Sequence, residues 1–269
     1  MPAPASTDPL DEAGRLALLA TGDLVVEGRM PWSSNATFLC QVWPAGTAPM
    51  APLALAERDE RDGDDEAGAE LPEPPARAIY KPHRGERPLW DFPDGLYRRE
   101  VAAYLLAGAL GWDLVPPTVV REGPLGVGSL QWFVEADYAH HHFTLVADPV
   151  HHDQLRRLCA FDVVANSTDR KAGHVLVDGD GRLWAIDNGL CLHTEWKLRT
   201  VIWEFADEPL PAEVADALDR LVGTDLPDDL AELLDPFERD ALATRARALL
   251  ASGRFPVDET GHRVPWPLV

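Results

Sequence analysis

The chain has 269 residues, is 46% apolar with nine tryptophans, and carries a formal charge of −21 at neutral pH. That apolar content can fill a large core, which excludes disorder along the whole chain. The charge excludes nucleic acid and anionic membrane surfaces as expected partners, because binding either rests on Lys and Arg neutralising phosphates.

No run approaches the roughly 20 apolar residues of a membrane helix, and the start, with Asp8, Asp11 and Glu12, is unlike a signal peptide, so a cytoplasmic location is expected. Cys40, Cys159 and Cys191 are odd in number and sit in apolar runs, which suggests buried thiols and neither a disulfide framework nor a zinc site. Within the acidic chain, 81–99 reverses the sign locally with Lys81, His83, Arg84, Arg87, Arg98 and Arg99.

Residues 1–22 read as a tail followed by a short helix ending at Gly22, with Leu10, Leu16, Leu18 and Leu19 as its apolar positions. Strands are expected at 24–27 and 37–43, joined by the polar loop Gly28 to Ala36. From 44 to 76 the composition turns to Ala, Pro, Gly and acidic residues, too polar to offset the entropy of ordering, and predicts a disordered insertion. A strand at 77–81 stops at Pro82. A helix over 99–110 has Val101, Tyr104, Leu105 and Gly108 on one face and closes at Gly111. Strands follow at 118–121 and 130–135, a helix at 154–165, and a hairpin at 175–177 and 183–186 around Asp178-Gly179-Asp180-Gly181. Helices at 211–222 and 236–251 complete the pattern. Gly123 to Gly128 looks like a dinucleotide loop, but a strand and not a helix follows it, so it reads as a turn.

Phosphoryl transfer asks a protein to hold a triphosphate and its metals and to orient the acceptor hydroxyl. Lys81, closing its strand, suits a fixed ammonium for phosphates, and Glu100 at the start of the next helix is placed to pair with it. Asp169, in the polar loop after the 154–165 helix, and Asp187, at the end of the hairpin, are returned to the same end of that hairpin. Adjacent carboxylates repel unless a cation lies between them, which suggests Mg²⁺ or Mn²⁺. The bland reading of the same pair is two turn aspartates.

These residues, with Met30-Pro31-Trp32-Ser33-Ser34-Asn35-Ala36-Thr37-Phe38, Tyr80-Lys81-Pro82, Arg99-Glu100, Asp169-Arg170 and Ile186-Asp187-Asn188-Gly189, resemble the atypical kinases related to phosphatidylinositol 3- and 4-kinases and to HipA-type serine kinases, closest to an uncharacterised actinobacterial branch. The resemblance spans about 23–205. It implies an α+β, two-lobed atypical protein-kinase-like fold: a small, mainly antiparallel β lobe with one helix over 23–135, and a larger, mainly helical lobe over 136–269. It also implies that Ser33, Ser34 and Asn35 form a phosphate loop, that Lys81 contacts phosphates with Glu100 orienting it, and that Trp132, Phe133, Val134 and Glu135 form an adenine hinge. Asp169 would orient the acceptor hydroxyl and Asp187 would ligate metal. Lys171 and His174 stand where the family commonly has His and a metal-binding Asn. Lys171 would supply transition-state charge or pair with a carboxylate, and His174 would shift metal preference from Mg²⁺ toward Mn²⁺.

The expected activity is an ATP-dependent phosphotransfer to a hydroxyl of a protein Ser/Thr or a polyol-like small molecule. Its rivals are a nucleotide-binding pseudokinase acting as regulator, AMP transfer on the same fold, and an acidic interaction domain without catalysis. The histidines at 140–142 and 151–152 read as a solvated loop, and the tryptophans mainly as core.

Overall fold

The computed structural model of the protein describes residues 10–31, 33, 35–49 and 76–269. The start of the N-terminal tail, Trp32, Ser34 and most of the expected insertion lie outside the described residues. Two compact units are present: a strand unit, from the described residues of 8–87 and 117–133, and a helical unit, from 88–116 and 134–269.

The strand unit is a five-stranded antiparallel sheet of β1 (Asp23–Arg29), β2 (Phe38–Trp43), β3 (Ala76–Pro82), β4 (Thr118–Gly123) and β5 (Gly126–Trp132), in the order β1-β2-β3-β5-β4. Alternation along β3 sends Ala76, Ala78, Tyr80 and Pro82 inward while Arg77 faces solvent, as the period of two in a pleated strand requires. Helix α1 (Glu12–Thr21) is capped by the Asp11 carboxylate, which accepts from Gly14 N at 2.8 Å, and its Leu19 joins Cys40, Val42, Tyr80 and Leu130 in the core of this unit. Of the glycine-rich stretch only Pro124 and Leu125 form the β4–β5 hairpin turn; Gly123 ends β4, and Gly126, at φ 98°, opens β5. Gly128 faces the Lys81 carbonyl so closely that a Cβ would collide with it.

In the helical unit, α2 (Leu96–Ala109) begins at left-handed Gly95, earlier than the expected 99, and Gly111 at φ 72° follows its end. After it come α3 (His142–Leu145), α4 (His152–Ala165), the hairpin β6 (Val175–Val177) and β7 (Leu183–Ala185), α5 (Ala212–Gly223), α6 (Asp228–Leu233) and α7 (Pro236–Ser252). Helix α2 groups with this unit and not with the sheet: Ala102, Ala103, Leu106, Ala107 and Leu110 share one apolar core with Leu155, Leu158 and Phe161 of α4. Its buried face is therefore wider than the stripe Val101, Tyr104, Leu105 and Gly108, of which Gly108 is exposed. Strand β5 lies earlier than 130–135, leaving 133–135 outside the strand.

Two other expectations are corrected. The histidine tract is not a solvated loop throughout, because it opens α3 and a helix turns successive residues to different faces: His142 is fully buried, its Nε2 2.8 Å from the Glu204 carboxylate. His152 packs edge-on to Phe205, with Nε2 2.9 Å from the Val146 carbonyl. Trp43, Trp112 and Trp184 are core residues as expected, but Trp90 and Trp266 are 96% and 86% exposed. Cys40, Cys159 and Cys191 are free and buried, and burial pushes the Cys40 and Cys191 thiols up to about 12. No helix among the described residues is long and apolar enough to cross a membrane.

Candidate functional site

In the strand unit, Lys81 is half-buried on β3 in register with Ser129, and Pro82 and a 3₁₀ turn at His83–Gly85 follow it. The β1–β2 loop docks on that turn. Ala36 N donates to the Gly85 carbonyl at 3.0 Å, and Arg87 N donates to Asn35 Oδ1 at 3.0 Å. The loop is closed by Met30 N to the Thr37 carbonyl at 2.8 Å and by a 2.8 Å bond from Ser33 Oγ to Thr37 Oγ1. A Cβ on Gly85 would run into Ala36, so this close approach needs glycine. The structure thus brings Asn35 and the segment after Lys81 together. At the far end of the sheet, Trp132 closes β5 with the Arg15 guanidinium 5.4 Å from its ring centroid, and Phe133 N donates to the Arg77 carbonyl.

The remaining hinge residues fall in the helical unit: Val134 is buried against Leu176 and Trp184, and Glu135 is exposed. Glu100 also belongs there. It is buried on α2, and its Oε2 accepts from the backbone N–H of Asn188 at 2.9 Å, next to Asp187. Within this unit that bond ties α2 to the Asp187 segment.

That segment and the Asp169 loop are locked together by one guanidinium. Arg170, 2% exposed, donates from Nε to both Asp162 oxygens at 3.1 and 3.3 Å, from Nη1 to the Ile186 carbonyl at 2.8 Å, and from Nη2 to Asn188 Oδ1 at 2.6 Å. Asp162, fully buried on α4, also accepts from Thr200 Oγ1 at 2.9 Å. A buried charge pair is costly unless it is also hydrogen-bonded, and here each Arg170 nitrogen and both Asp162 oxygens have a partner. Asp187 has a left-handed backbone, φ 56°, the conformation Asp and Asn tolerate best after Gly; it sends Asn188 into the interior while the Asp187 side chain stays half exposed.

Two of the predicted chemical residues meet directly across this frame. Lys171 Nζ lies 3.0 Å from Asp169 Oδ2. The His174 ring spans Asp169 and Asp187, with Nδ1 3.0 Å from the Asp169 carbonyl oxygen and Nε2 3.5 Å from Asp187 Oδ2. Lys171 N–H also approaches Nδ1, at 3.4 Å. A carbonyl oxygen at the shorter distance demands a proton on Nδ1, so the ring donates there and the Lys171 contact is secondary. Nε2 faces the Asp187 carboxylate: as an imidazolium it donates to that carboxylate, and as a neutral ring it offers a lone pair that a cation can share with it. The donor set, one imidazole nitrogen and carboxylate oxygens, fits Mn²⁺ better than Mg²⁺. Burial raises the Asp169 pKa above its ordinary value, and nearby Asp187 adds to the rise while Lys171 opposes it.

Sequence reasoning missed Asp162 and Asn188 as the frame, and Asn166 as the organiser of the loop beyond. Asn166, fully buried and left-handed at φ 54°, ends α4; its Nδ2 donates to the His193 and Glu195 carbonyls, and its Oδ1 accepts from Lys197 N. The available signal was Asp162 itself, a carboxylate on the same helical face as Leu155, Leu158 and Cys159.

Comparison with known proteins adds the following. A model of the phosphatidylinositol 3- and 4-kinase family matches residues 119–230. Protein Rv2133c of Mycobacterium tuberculosis is 37% identical over 292 residues, covering 93% of this chain and 94% of that protein. Phosphatidylinositol 4-kinase gamma 4 of Oryza sativa subsp. japonica is 34% identical over 139 residues, 44% of this chain but 24% of that protein. Among solved structures, the Golgi casein kinase with Mn/ADP bound superposes with a TM-score of 0.51 at 13% identity, over 96% of this chain and 80% of that one; this likeness is one of fold.

Proposed function

We propose an ATP-dependent phosphotransferase acting on a hydroxyl, proceeding from a chain that belongs to the same family as the mycobacterial protein and is an atypical kinase related to phosphatidylinositol 3- and 4-kinases, with the α+β two-lobed fold of that group. The observation that carries the proposal is the His174 imidazole set between the Asp169 carbonyl and the Asp187 carboxylate, with Nδ1 toward the former and Nε2 toward the latter.

In this reading Ser33, Ser34, Asn35 and Lys81 contact the phosphates, and Trp132, Phe133, Val134 and Glu135 meet the adenine. Asp187 and His174 hold Mn²⁺ or Mg²⁺. A divalent cation there would offset the charge of the phosphate oxygens. Asp169 accepts the proton of the acceptor hydroxyl as that oxygen bonds to the γ-phosphorus and the bond to the ADP oxygen breaks; its raised pKa suits it to take a proton. Lys171, beside Asp169, faces the charge that develops on the transferring group. Glu100 orients Lys81 for the phosphates, and Arg170 and Asn188 act as positioning residues through the Asp169 loop and the Asp187 segment.

The same Lys171–Asp169 pair supports a second reading, a nucleotide-binding regulator, since an ammonium 3.0 Å from the carboxylate competes with an incoming hydroxyl for it. Incubation with ATP and Mn²⁺, reading ADP release and the mass added to acceptors, separates the readings. Transfer of a phosphoryl group that disappears in Asp169→Asn supports the kinase, an adenylyl mass identifies nucleotidyl transfer, and nucleotide binding without turnover leaves the regulator.

A further inference from the structure

Segment 258–269 belongs to no helix or strand, yet it is tied down along its length. Asp258 organises its first turn: Oδ1 accepts from Thr260 N at 2.9 Å and from Thr260 Oγ1 at 2.6 Å, and Oδ2 accepts from Arg263 N at 2.8 Å. The Arg263 carbonyl then accepts from Thr200 N and from Trp203 Nε1, each at 3.1 Å, and the Arg263 guanidinium stands 5.8 Å from the Trp196 ring centroid. Further on, the Leu268 side chain packs on the core of the helical unit while its carbonyl accepts from Ala172 N at 2.7 Å. Val269 lies over Gly173, its Cγ1 4.0 Å from where a Cβ there would stand.

We propose that segment 258–269 is a strap that positions the Lys171–His174 turn, with Leu268 and Asp258 as its positioning residues; this rests on the phosphotransferase reading above. Both anchors of the strap end on the backbone that carries the candidate chemistry. Ala172, fully buried, opens the 3₁₀ turn Ala172–His174, where the first amide has no partner within the turn, and the Leu268 carbonyl supplies one. Thr200, the other anchor, gives its hydroxyl to Asp162 and pairs in parallel with Arg170: Arg170 N donates to the Arg199 carbonyl and Val201 N to the Arg170 carbonyl, both at 3.1 Å. With the strap detached, the turn loses its amide acceptor and the wall over Gly173. The Lys171 ammonium and the His174 ring, which that turn carries, then leave their places beside Asp169 and Asp187. A shift of about 1 Å in such groups is enough to slow chemistry by up to about 100-fold. The strap residues contact the turn and not the nucleotide, so their loss should fall on kcat and spare the KM for ATP.

The test pairs hydrogen exchange, read by mass spectrometry on peptides covering 169–176, with steady-state ADP release from ATP in Mn²⁺. Both are measured on the full chain as wild type, Leu268→Ala, Leu268→Met, Asp258→Ala and Glu259→Ala. The first and third of these variants should speed exchange of the 169–176 peptides about tenfold and lower kcat about tenfold, with the KM for ATP held within about twofold. Leu268→Met, which refills the core contact, should restore both readings, and Glu259→Ala, at an exposed position of the strap, should match wild type. Exchange unchanged in both Leu268→Ala and Asp258→Ala overturns the proposal, as does faster exchange with kcat intact or with kcat and KM altered together. A wild type that releases no ADP overturns the phosphotransferase reading instead. The strap is then upheld by faster exchange confined to 169–176 and overturned by exchange that is unchanged or rises across the whole helical unit.

Discussion

Replacing Arg170 by Met keeps the length of the aliphatic stem and removes the charge that joins the Asp169 loop to the Asp187 segment. The Asp162 carboxylate, fully buried, would keep only the Thr200 hydroxyl at 2.9 Å, and the Ile186 carbonyl and Asn188 Oδ1 would lose donors at 2.8 and 2.6 Å. Stranding one partner of a buried ion pair costs about 3–5 kcal/mol. Urea unfolding followed by circular dichroism, with an unchanged m-value, reads this as a fall in the transition midpoint. The double variant Asp162→Val/Arg170→Met removes both charges, so it should be more stable than Arg170→Met alone. A loss below about 1 kcal/mol in the single variant, or a double variant less stable than the single, would refute the reasoning that this pair is a satisfied buried charge.

Asp169→Asn should raise the melting temperature near neutral pH. The native carboxyl is held above its ordinary pKa, first by burial, so its ionised form penalises the folded state; the penalty is present above the raised pKa and fades as pH falls through it, and the variant's advantage should fade with it. A variant less stable than wild type at neutral pH would contradict this sign. His174→Asn should move the ratio of ATP-induced stabilisation in Mn²⁺ over that in Mg²⁺ toward Mg²⁺, because an amide oxygen replaces an imidazole nitrogen; an unchanged ratio would remove His174 from the metal site. Gly128→Ala, whose Cβ meets the Lys81 carbonyl, should cost about 1–3 kcal/mol in the strand unit and weaken ATP binding through Lys81, both readable by thermal unfolding with and without nucleotide.

Periodic segments were the legible part of the sequence. Four of the five sheet strands, α4, the Asp178–Gly181 turn and α7 followed from alternation, 3.6-residue spacing and glycine punctuation, since those signals are local, while β5 begins at Gly126, inside the stretch read as a turn. What escaped was decided by tertiary burial. Helix α2 carries Arg99 and Glu100 on its buried side, where an apolar stripe alone would not put them: Arg99 bonds the Cys191 carbonyl and the Glu238 carboxylate, and Glu100 bonds Asn188 N. His142 read as solvated because nothing within the tract reveals Glu204, 62 positions away. The site was legible as Asp169 and Asp187, whose hairpin spacing is local, whereas Asp162, Asn166 and Asn188 needed knowledge of which loops meet.

The central claim, that this fold holds a nucleotide triphosphate with a divalent cation, is tested most directly by thermal unfolding of wild type and Asp187→Asn with ATP in Mn²⁺ and in Mg²⁺. Ligand at about 100 times its dissociation constant stabilises the native state by roughly 2.7 kcal/mol, a shift of several degrees for a chain of this size. The account predicts a metal-dependent shift, larger in Mn²⁺, that Asp187→Asn abolishes. No shift with either metal, or an equal shift in the variant, would contradict it.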